Sequence, residues 1–407
     1  MIISFSFENF FSFLERTEVS FLAGKQDPDT AHYTTTDTGL RLSKLMSVVG
    51  ANGSGKTNIL RAYNFLMWLM RESFKLEPDA EIPLDQFLFT GDPRQETSFS
   101  LLFELDGQVY RYELSLTKKQ ILNEIFSVKN GSNFRYLFKR TWDQKSTAYT
   151  VREQDFGKKV EAIATGLLNK RNNSTLFSGL VFTNYEPLKP MVEYLASHKT
   201  NVSRLGAAAV IDTINPEMVA ALCVKYPEIR SSIESLMARI DLGISGIDIR
   251  EIPLPEAVQK QLGIAKAYTP FGKHTVKGAE YALHFRMESN GTQNLFVLLY
   301  QLLAALSRPG IAVMDEFEAS LHPHMIPAIL DLFVSPETNP HNTQLVFTSH
   351  SAEVFNLLDK NQILLVEKDP ETLVSEAWRL DDMNGVRRDD NLYAKYMAGR
   401  YGAVPRL

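Results

Sequence analysis

The chain has 407 residues and a formal net charge of −5, with 44% hydrophobic and 22% charged residues. This composition is typical of a soluble globular protein with two or three domains. The chain lacks the overall excess of basic residues that would indicate a nucleic-acid partner. Only a local basic patch could bind nucleic acid.

Cysteine content and apolar runs limit where the protein can work. Cys223 is the single cysteine, which excludes internal disulfides and suits a reducing compartment. The longest apolar stretch, Leu295–Leu306, is too short to span a bilayer and contains Gln301. The N-terminal residues lack the basic region of a signal peptide. We therefore expect a cytoplasmic protein with no membrane partner.

The first part of the chain combines strand patterns with one long helix. Alternating apolar and polar residues predict strands at Ile2–Phe7 and Glu18–Leu22, and a polar loop over 24–39. The apolar run Leu45–Val49 predicts a short buried strand, and helical periodicity then continues to about Phe74.

The pattern becomes β again from Thr97 to about Tyr149, with Asp106-Gly107 as a predicted hairpin turn. Residues 151–239 are mostly helical in pattern, without the sustained heptads of a projecting coiled coil, and residues 242–286 return to strands and loops. The last third alternates strands and helices, as a parallel sheet requires. Its predicted elements are strands at Ile311–Met314, Gln344–Thr348 and Ile363–Val366, and helices near His324–Phe333 and Ala352–Leu358.

A glycine-rich loop joins the Leu45–Val49 strand to the helix. Residues 47–63 read SVVGANGSGKTNILRAY and fit the pattern G-x-x-x-x-G-K-[ST]. Glycines let consecutive N–H groups point at one anion, and the helix adds the positive end of its dipole. Lys56 would reach the β- and γ-phosphates, and the Thr57 hydroxyl would hold Mg²⁺. The predicted nucleotide-binding residues are Gly50, Asn52, Gly53, Ser54, Gly55, Lys56 and Thr57.

Two acids follow the apolar strand Ile311–Met314 directly. Asp315 and Glu316 stand at its carboxyl end, where α/β sheets place their ligands. We expect Asp315 to bind Mg²⁺, directly or through water, and Glu316 to orient or deprotonate the attacking water. His350 ends the next strand, and its neutral imidazole can hydrogen-bond the γ-phosphate and report its presence.

A second helix start has anion-binding character. Ser289-Asn290-Gly291-Thr292 precedes a long amphipathic helix and offers free N–H groups, a hydroxyl and a glycine. A plain N-cap is the alternative interpretation. Because Thr57 already begins one such helix, we predict that Ser289, Gly291 and Thr292 contact a nucleotide held by another copy of the chain.

These four motifs, in this order, resemble the ABC-type ATPase head of the RecF, SMC and OLD (overcoming lysogenization defect) group. Ser289-x-Gly291-Thr292 is similar to the signature motif of that group, and Glu318-x-Ser320-Leu321-His322-Pro323 to its D-loop region. The group's Q-loop glutamine, which would contribute to the Mg²⁺ site, corresponds to Gln86 or Gln95, and we prefer Gln86. FSFENFFSF (5–13) and GRYGAVP (399–405) resemble AAA-family proteins of bacterial defence loci, the RloA- and AriA-like proteins.

The resemblance implies an α/β P-loop ATPase with a mostly parallel core sheet, an N-terminal antiparallel β-subdomain and a helical insertion. The implied domains are an N-terminal ATPase lobe (1–150), a mainly helical insertion with return strands (151–286) and a C-terminal ATPase lobe (287–407). ATP and Mg²⁺ are the implied cofactors, and ATP-dependent homodimers or higher oligomers the implied assembly. The chain has a full nucleotide switch but no complete second catalytic site. We therefore expect a separate effector protein, a nuclease from a neighbouring gene, in anti-phage defence.

Other classes of protein share parts of this pattern. A RecF-like DNA-repair ATPase would need a basic groove, for which the run over 158–173 is a modest candidate that is more often a solvated helix face. A transporter's energy subunit fits neither the signature motif nor the large insertion. A self-contained nuclease is disfavoured because too few residues follow His350 to form a further metal-binding domain.

Overall fold

The computed structural model describes residues 1–24, 27–90, 96–157, 160–167, 171–202, 214–239, 243–253, 266–316, 318, 321–387 and 389–405. The strands are β1 Ile2–Glu8, β2 Thr17–Ser20, β3 Tyr33–Thr35, β4 Arg41–Ser43, β5 Leu45–Gly50, β6 Thr97–Leu105, β7 Gln108–Leu116, β8 Ile121–Asn130, β9 Asn133–Asp143, β10 Ala148–Glu153, β11 Lys199–Thr200, β12 Gly246–Pro253, β13 Lys266–Val276, β14 Ala279–His284, β15 Ile311–Met314, β16 Gln344–Ser349, β17 Ile363–Lys368 and β18 Ser375–Arg379. The helices are α1 Lys56–Glu72, α2 Val160–Leu167, α3 Leu176–Phe182, α4 Lys189–Ala196, α5 Pro216–Lys225, α6 Pro227–Arg239, α7 Asn290–Leu306, α8 Met325–Val334, α9 Val354–Leu357 and α10 Leu392–Met397.

One sheet is antiparallel and has the strand order β10-β9-β8-β7-β6-β1-β2. Alternate residues of β6 are buried, as expected for a sheet that covers a core with one face. Asp106 and Gly107 form the predicted two-residue turn between β6 and β7, and both have positive φ, at 49° and 68°. Such a turn matches the twist of the strands that it joins.

The second sheet carries the predicted ligand-binding motifs. Its strand order is β11-β15-β16-β5-β17-β18. The first five strands in this order run parallel, and β18 is antiparallel at one edge. Strand β5 is buried along its whole length between β16 and β17. These two sheets confirm the predicted α/β fold with a mostly parallel core sheet and an antiparallel β-subdomain.

One predicted loop is wrong, and one edge strand was not predicted. The segment 24–39 is not a loop throughout, because β3 pairs with β4, and the Tyr33 hydroxyl lies within hydrogen-bonding distance of Asp359 Oδ2 and Asn361 Oδ1, at 2.9 and 2.6 Å. The strand predicted at Ile363–Val366 is followed by β18, an antiparallel edge strand that the sequence did not predict. Strand β18 has a single buried residue, Ser375, so its sequence lacks the apolar run that marks a central strand.

The region between the two lobes contains helices α2 to α6 and a three-stranded sheet, β12-β13-β14. Helix α7 packs against α5 and α6 through a core that also includes the second sheet. Strand β10 crosses the predicted boundary at residue 150, and β11 joins the ATPase sheet from within the insertion. The domain limits therefore stay predictions.

A buried glutamine ties the two large sheets together. The Ile2 N–H donates to Gln344 Oε1 at 2.7 Å, and Gln344 Nε2 donates to the carbonyls of Ile2 and Ser43 at 2.9 and 3.1 Å. Because Gln344 is fully buried, these bonds satisfy its amide where water cannot. The start of β1 is thereby fixed to the strands around the glycine-rich loop.

A buried carboxylate connects the antiparallel sheet to α3. Both oxygens of Glu124 accept hydrogen bonds, from the N–H groups of Leu176 and Phe177 at 2.6 and 2.9 Å and from the Tyr112 hydroxyl at 2.9 Å. Burial raises the pKa of Glu124, and Arg140, opposite it on β9, counteracts that shift. Since α3 packs against α1, this cluster supports the helix that follows the glycine-rich loop.

We predict that Glu124→Ala destabilises the protein by about 3 kcal/mol, because three buried donors lose their acceptor. Urea unfolding monitored by circular dichroism measures the loss. The matched control is Glu113→Ala on the neighbouring strand, whose carboxylate is partly exposed and pairs with Arg111 at 3.1 Å. It should change stability by no more than about 0.5 kcal/mol. Equal unfolding midpoints for the two variants would contradict the assignment.

Candidate functional site

The glycine-rich loop curls between the end of β5 and the start of α1. Gly50 lies so close to β17 that a Cβ there would overlap the carbonyl oxygen of Val366. Gly55 has φ 114°, and a Cβ there would lie 2.7 Å from Ser375 Oγ and 2.8 Å from Ser12 Oγ. Both positions therefore require glycine, which explains the spacing of the motif.

Two serines from distant segments brace the loop from outside. Ser375 Oγ donates to the Ser54 carbonyl at 2.6 Å and lies 2.8 Å from Ser12 Oγ, which accepts from Asn58 Nδ2 at 2.9 Å. Ser12 belongs to the segment FSFENFFSF, so this motif has a structural role next to the loop. Sequence reasoning did not predict either serine as part of the site.

Lys56 lies folded against the loop. Its Nζ donates to the carbonyls of Gly50 and Ala51 at 2.8 and 3.0 Å. Burial lowers the pKa of Lys56, and the carboxylates of Asp315, Glu318 and Glu316 oppose that effect. The ammonium group thus lies against the glycine-rich loop, and Lys56 lines the cavity that the loop borders.

Strand β15 places Asp315, the residue that follows it, next to the beginning of α1. Asp315 Oδ1 accepts hydrogen bonds from Thr57 Oγ1 at 3.2 Å and from Thr348 Oγ1 at 2.6 Å. The Glu316 N–H donates to the same Thr348 hydroxyl at 2.7 Å. This bond helps to hold Glu316 at φ 47°, a left-handed conformation that costs a non-glycine residue about 1–2 kcal/mol.

Glu316 and His350 face each other across the site. Their side chains approach to 4.0 Å between His350 Nε2 and Glu316 Oε1, and they are 43% (His350) and 63% (Glu316) exposed. Glu318 holds the turn that carries His350, because its Oε1 accepts from Ser349 Oγ at 2.8 Å, from Ser351 N at 3.0 Å and from the His350 N–H. Glu318 therefore positions His350, a role that its place in the D-loop region did not predict.

These groups surround a cavity of about 510 Å³. Its described lining consists of Asn52, Gly53, Ser54, Gly55, Lys56, Thr57, Asn58, Arg61, Asp315, Glu316, His350 and Lys368. The hydroxyl of Thr57 and the carboxylate of Asp315 are oxygen ligands of the kind that Mg²⁺ prefers. The loop N–H groups and three cations suit a polyphosphate. Arg61 and Lys368 were not predicted, because an isolated basic residue carries no pattern.

The remaining predicted residues lie elsewhere. Gly50 ends β5 behind the loop rather than in the described lining of the cavity. Gln86 is absent from that lining too, and its Nε2 donates to Thr97 Oγ1 at 3.2 Å. The other Q-loop candidate, Gln95, lies outside the described residues. The assignment of Gln86 to the Mg²⁺ site stays a prediction.

The predicted signature residues begin α7 and do not line this cavity in the described part of the chain. Ser289 is the N-cap of the helix, and its Oγ accepts from the Thr292 N–H at 3.1 Å. Ser289 is exposed, whereas Thr292 is buried with its hydroxyl 2.9 Å from that of Ser289. Next to it, Glu288 pairs with His274 Nε2 at 2.7 Å, which fixes the loop to β13.

Arg171 is the one basic residue of the run over 158–173 that lies in the described part of the chain. Lys158, Lys159 and Lys170 lie outside the described residues. Arg171 is not on a solvated helix face, because its guanidinium donates to the carbonyls of Phe74 and Leu76 at 3.0 and 2.8 Å. Arg171 therefore stabilises the end of the α1 region.

The described residues form neither a His/Cys/Asp/Glu metal cluster nor a membrane-spanning helix. They contain no group of three or more His, Cys, Asp or Glu side chains placed to hold a metal ion. None of their helices combines the length and apolar character needed to cross a membrane.

Comparisons with known proteins agree with the geometry of the site. Residues 45–356 match the family described as "AAA domain, putative AbiEii toxin, Type IV TA system". No curated protein sequence matches the chain.

Several solved structures are similar at low sequence identity. An SMC head bound to the C-winged-helix domain of ScpA has a TM-score of 0.49 and 14% identity, covering 94% of this chain and 99% of that chain. The SMC head domain from Thermotoga maritima has a TM-score of 0.41 and 16% identity, and the match covers 93% of this chain and 98% of that chain. An SMC head domain from Pyrococcus yayanosii has a TM-score of 0.44 and 10% identity, and the match covers 98% of this chain and 99% of that chain. Similarity at this level carries no functional argument.

The family match spans most of the chain and includes the glycine-rich loop, Asp315, Glu316 and His350. The chain therefore belongs to this AAA family, AAA_21, of P-loop ATPase domains.

Proposed function

We propose that this protein is an ATP-hydrolysing switch that closes as a homodimer on two ATP molecules and controls a separate effector, a nuclease, in bacterial anti-phage defence. One observation carries the proposal. Thr57 and Asp315 meet at 3.2 Å beside Glu316, in a cavity lined by the glycine-rich loop. A hydroxyl and a carboxylate that could hold Mg²⁺, next to the exposed carboxylate of Glu316, form an arrangement suited to hydrolysis of a triphosphate.

Each residue then has a defined task. Thr57 and Asp315 would hold a Mg²⁺ ion, which would neutralise charge on the phosphates of ATP, the substrate that carries the γ-phosphoryl group. Lys56 exchanges its bonds to the loop carbonyls for bonds to phosphate oxygens. Glu316 accepts a proton from the attacking water, and His350 hydrogen-bonds the γ-phosphate.

Exposure of the catalytic groups supports a site completed by a second copy. Glu316 and His350 are both substantially open to solvent, and water-filled sites stabilise charge poorly. The exposed Ser289 at the start of α7 offers a hydroxyl and nearby N–H groups to the nucleotide of the partner. Closing two such heads covers both cavities and changes the distance between attached segments.

The defence role rests on the family description, which names a toxin and a toxin–antitoxin system. A switch produces an effect only through something that it moves or releases. The described residues contain no further cluster of metal-binding side chains that would form a nuclease centre in this chain. A separate effector therefore fits better than a self-contained enzyme.

Lys56→Ala should weaken ATP binding by roughly 100-fold, equivalent to about 2.7 kcal/mol, because the loop loses the charge that faces the phosphates. Isothermal titration with ATP and Mg²⁺ measures the affinity. Lys189→Ala, which removes an exposed lysine that pairs with Glu186 at 3.8 Å, is the control and should bind normally. Unchanged affinity of Lys56→Ala would refute the assignment of the loop.

Glu316→Gln should bind ATP but hydrolyse it about 100- to 10,000-fold more slowly, because the base is lost while the shape is kept. Light scattering should show an ATP-dependent dimer of this variant. Adding Ser289→Arg should prevent dimerisation without preventing ATP binding, whereas Ser307→Arg at the exposed far end of α7 should not affect it. Monomers with bound ATP in the Glu316→Gln variant would rule out the closed dimer.

The effector prediction concerns cells. Co-expression of this protein with the product of the neighbouring gene should protect bacteria against phage, and the Lys56→Ala substitution should abolish the protection. The neighbouring protein should co-purify with the chain and carry the nuclease activity. ATP-dependent protection or nucleic-acid cleavage by the chain alone, with no partner recovered, would show that the two-component hypothesis is wrong.

A further inference from the structure

A short segment of the insertion reaches the strand that carries the catalytic acids. Strand β11 adds to the edge of the ATPase sheet, parallel to β15, with Lys199 opposite Ala312 and Thr200 opposite Val313. The next residue continues this contact, since the Asn201 N–H lies 3.4 Å from the Val313 carbonyl oxygen.

The side chain of Asn201 pairs with the backbone of Asp315, beyond the end of β15. Its Oδ1 accepts a hydrogen bond from the Asp315 N–H at 2.7 Å, and its Nδ2 donates to the Asp315 carbonyl at 2.9 Å. One amide thereby pairs with both backbone groups of the Mg²⁺ ligand, as a further strand residue would do. The two residues are 114 positions apart in sequence.

Asp315 is thus held from two directions. Asn201 fixes its backbone, while Thr57 and Thr348 fix its carboxylate. Glu316 follows directly in its left-handed conformation, so a shift of the preceding peptide would move its carboxylate. The backbone bonds of Asn201 are therefore well placed to set the direction of both acids.

The same segment is attached to the glycine-rich side of the site. Asn64 on α1 donates through Nδ2 to Thr200 Oγ1 at 2.9 Å and to the Val202 carbonyl at 3.4 Å. Residues 199–202 consequently bridge the helix after the loop and the loop after β15. A cavity of about 650 Å³ borders this bridge, and Asn201, Asp315, Glu316 and Asn215 all contribute to its lining.

We propose that Asn201 is a positioning residue through which the insertion sets the catalytic arrangement of Asp315 and Glu316. The inference rests on the proposed ATPase function and goes beyond it, because it makes hydrolysis depend on a contact from the insertion. ATP binding depends on the loop and Lys56, which Asn201 does not touch. Asn201 therefore affects turnover and metal binding, and ATP affinity is preserved.

The test compares Asn201→Ala and Asn201→Asp with the wild-type full chain. The aspartate variant keeps the shape of the side chain but cannot donate to the Asp315 carbonyl, so it serves if the alanine variant does not fold. Both should lower kcat by about 10- to 100-fold at saturating Mg²⁺ and ATP, since partners of metal ligands have effects of this size. Measured without divalent metal, the Kd for a non-hydrolysable ATP analogue should stay within about twofold of the wild-type value, because the contacts of the phosphate loop are intact.

Asn215→Ala is the matched control. Asn215 borders the same cavity and caps α5 through the Met218 N–H at 2.9 Å, but its cap does not involve Asp315. This variant should lower the melting temperature yet keep its kcat. A loss of kcat that tracks loss of stability across all three variants would overturn the proposal.

A second measurement separates this inference from the proposed function. Electron paramagnetic resonance of Mn²⁺, added with the ATP analogue, should show weaker metal binding by about tenfold in both Asn201 variants. If the wild-type chain shows no turnover, the proposed hydrolysis is wrong, and the Mn²⁺ affinities still decide the role of Asn201. Unchanged Mn²⁺ affinity in both variants would overturn it.

Discussion

The hydrogen bonds that join the separate parts of the site converge on one carboxylate oxygen, Asp315 Oδ1. Two threonine hydroxyls converge on it, Thr57 from the helix after the glycine-rich loop and Thr348 from β16. This convergence requires β5, β15 and β16 to run parallel in one sheet, so that their carboxyl ends lie at the same edge. The order of strands in the second sheet is therefore a condition for the chemistry.

The parts outside the ATPase core serve this point of convergence. Ser12 and Ser375 brace the loop from the two ends of the chain, and Asn201 braces the acid from the insertion. Each of these contacts crosses between segments that are distant in sequence. The site is consequently sensitive to movements of the insertion and of the terminal segments as well as to its ligand.

Sequence reasoning predicted the motifs that are local. The loop from Gly50 to Thr57 and the acids after Ile311–Met314 combine a fixed residue pattern with an apolar strand, and both were placed correctly in the fold. The hairpin at Asp106-Gly107 was also predictable, because few residues adopt positive φ at both positions.

The contacts that complete the site were not predictable in this way. Strand β11 has two residues and no apolar run, so nothing in its sequence marks it as an edge strand. Asn201 and Ser375 are common polar residues whose role depends on partners more than 100 positions away. The left-handed conformation of Glu316, which the Thr348 hydroxyl helps to hold, likewise leaves no trace in the residue type.

The central position of β5 has a consequence for synthesis of the protein. Its two neighbours, β16 and β17, come about 300 residues later in the chain, so β5 leaves the ribosome roughly 15–60 s before they do. During that time an apolar strand with two unpaired edges must be protected from aggregation. A chain that stopped before β17 would contain the whole glycine-rich loop and yet lack the strand against which Gly50 packs, so the packing of the loop is completed only after β17 has been synthesised.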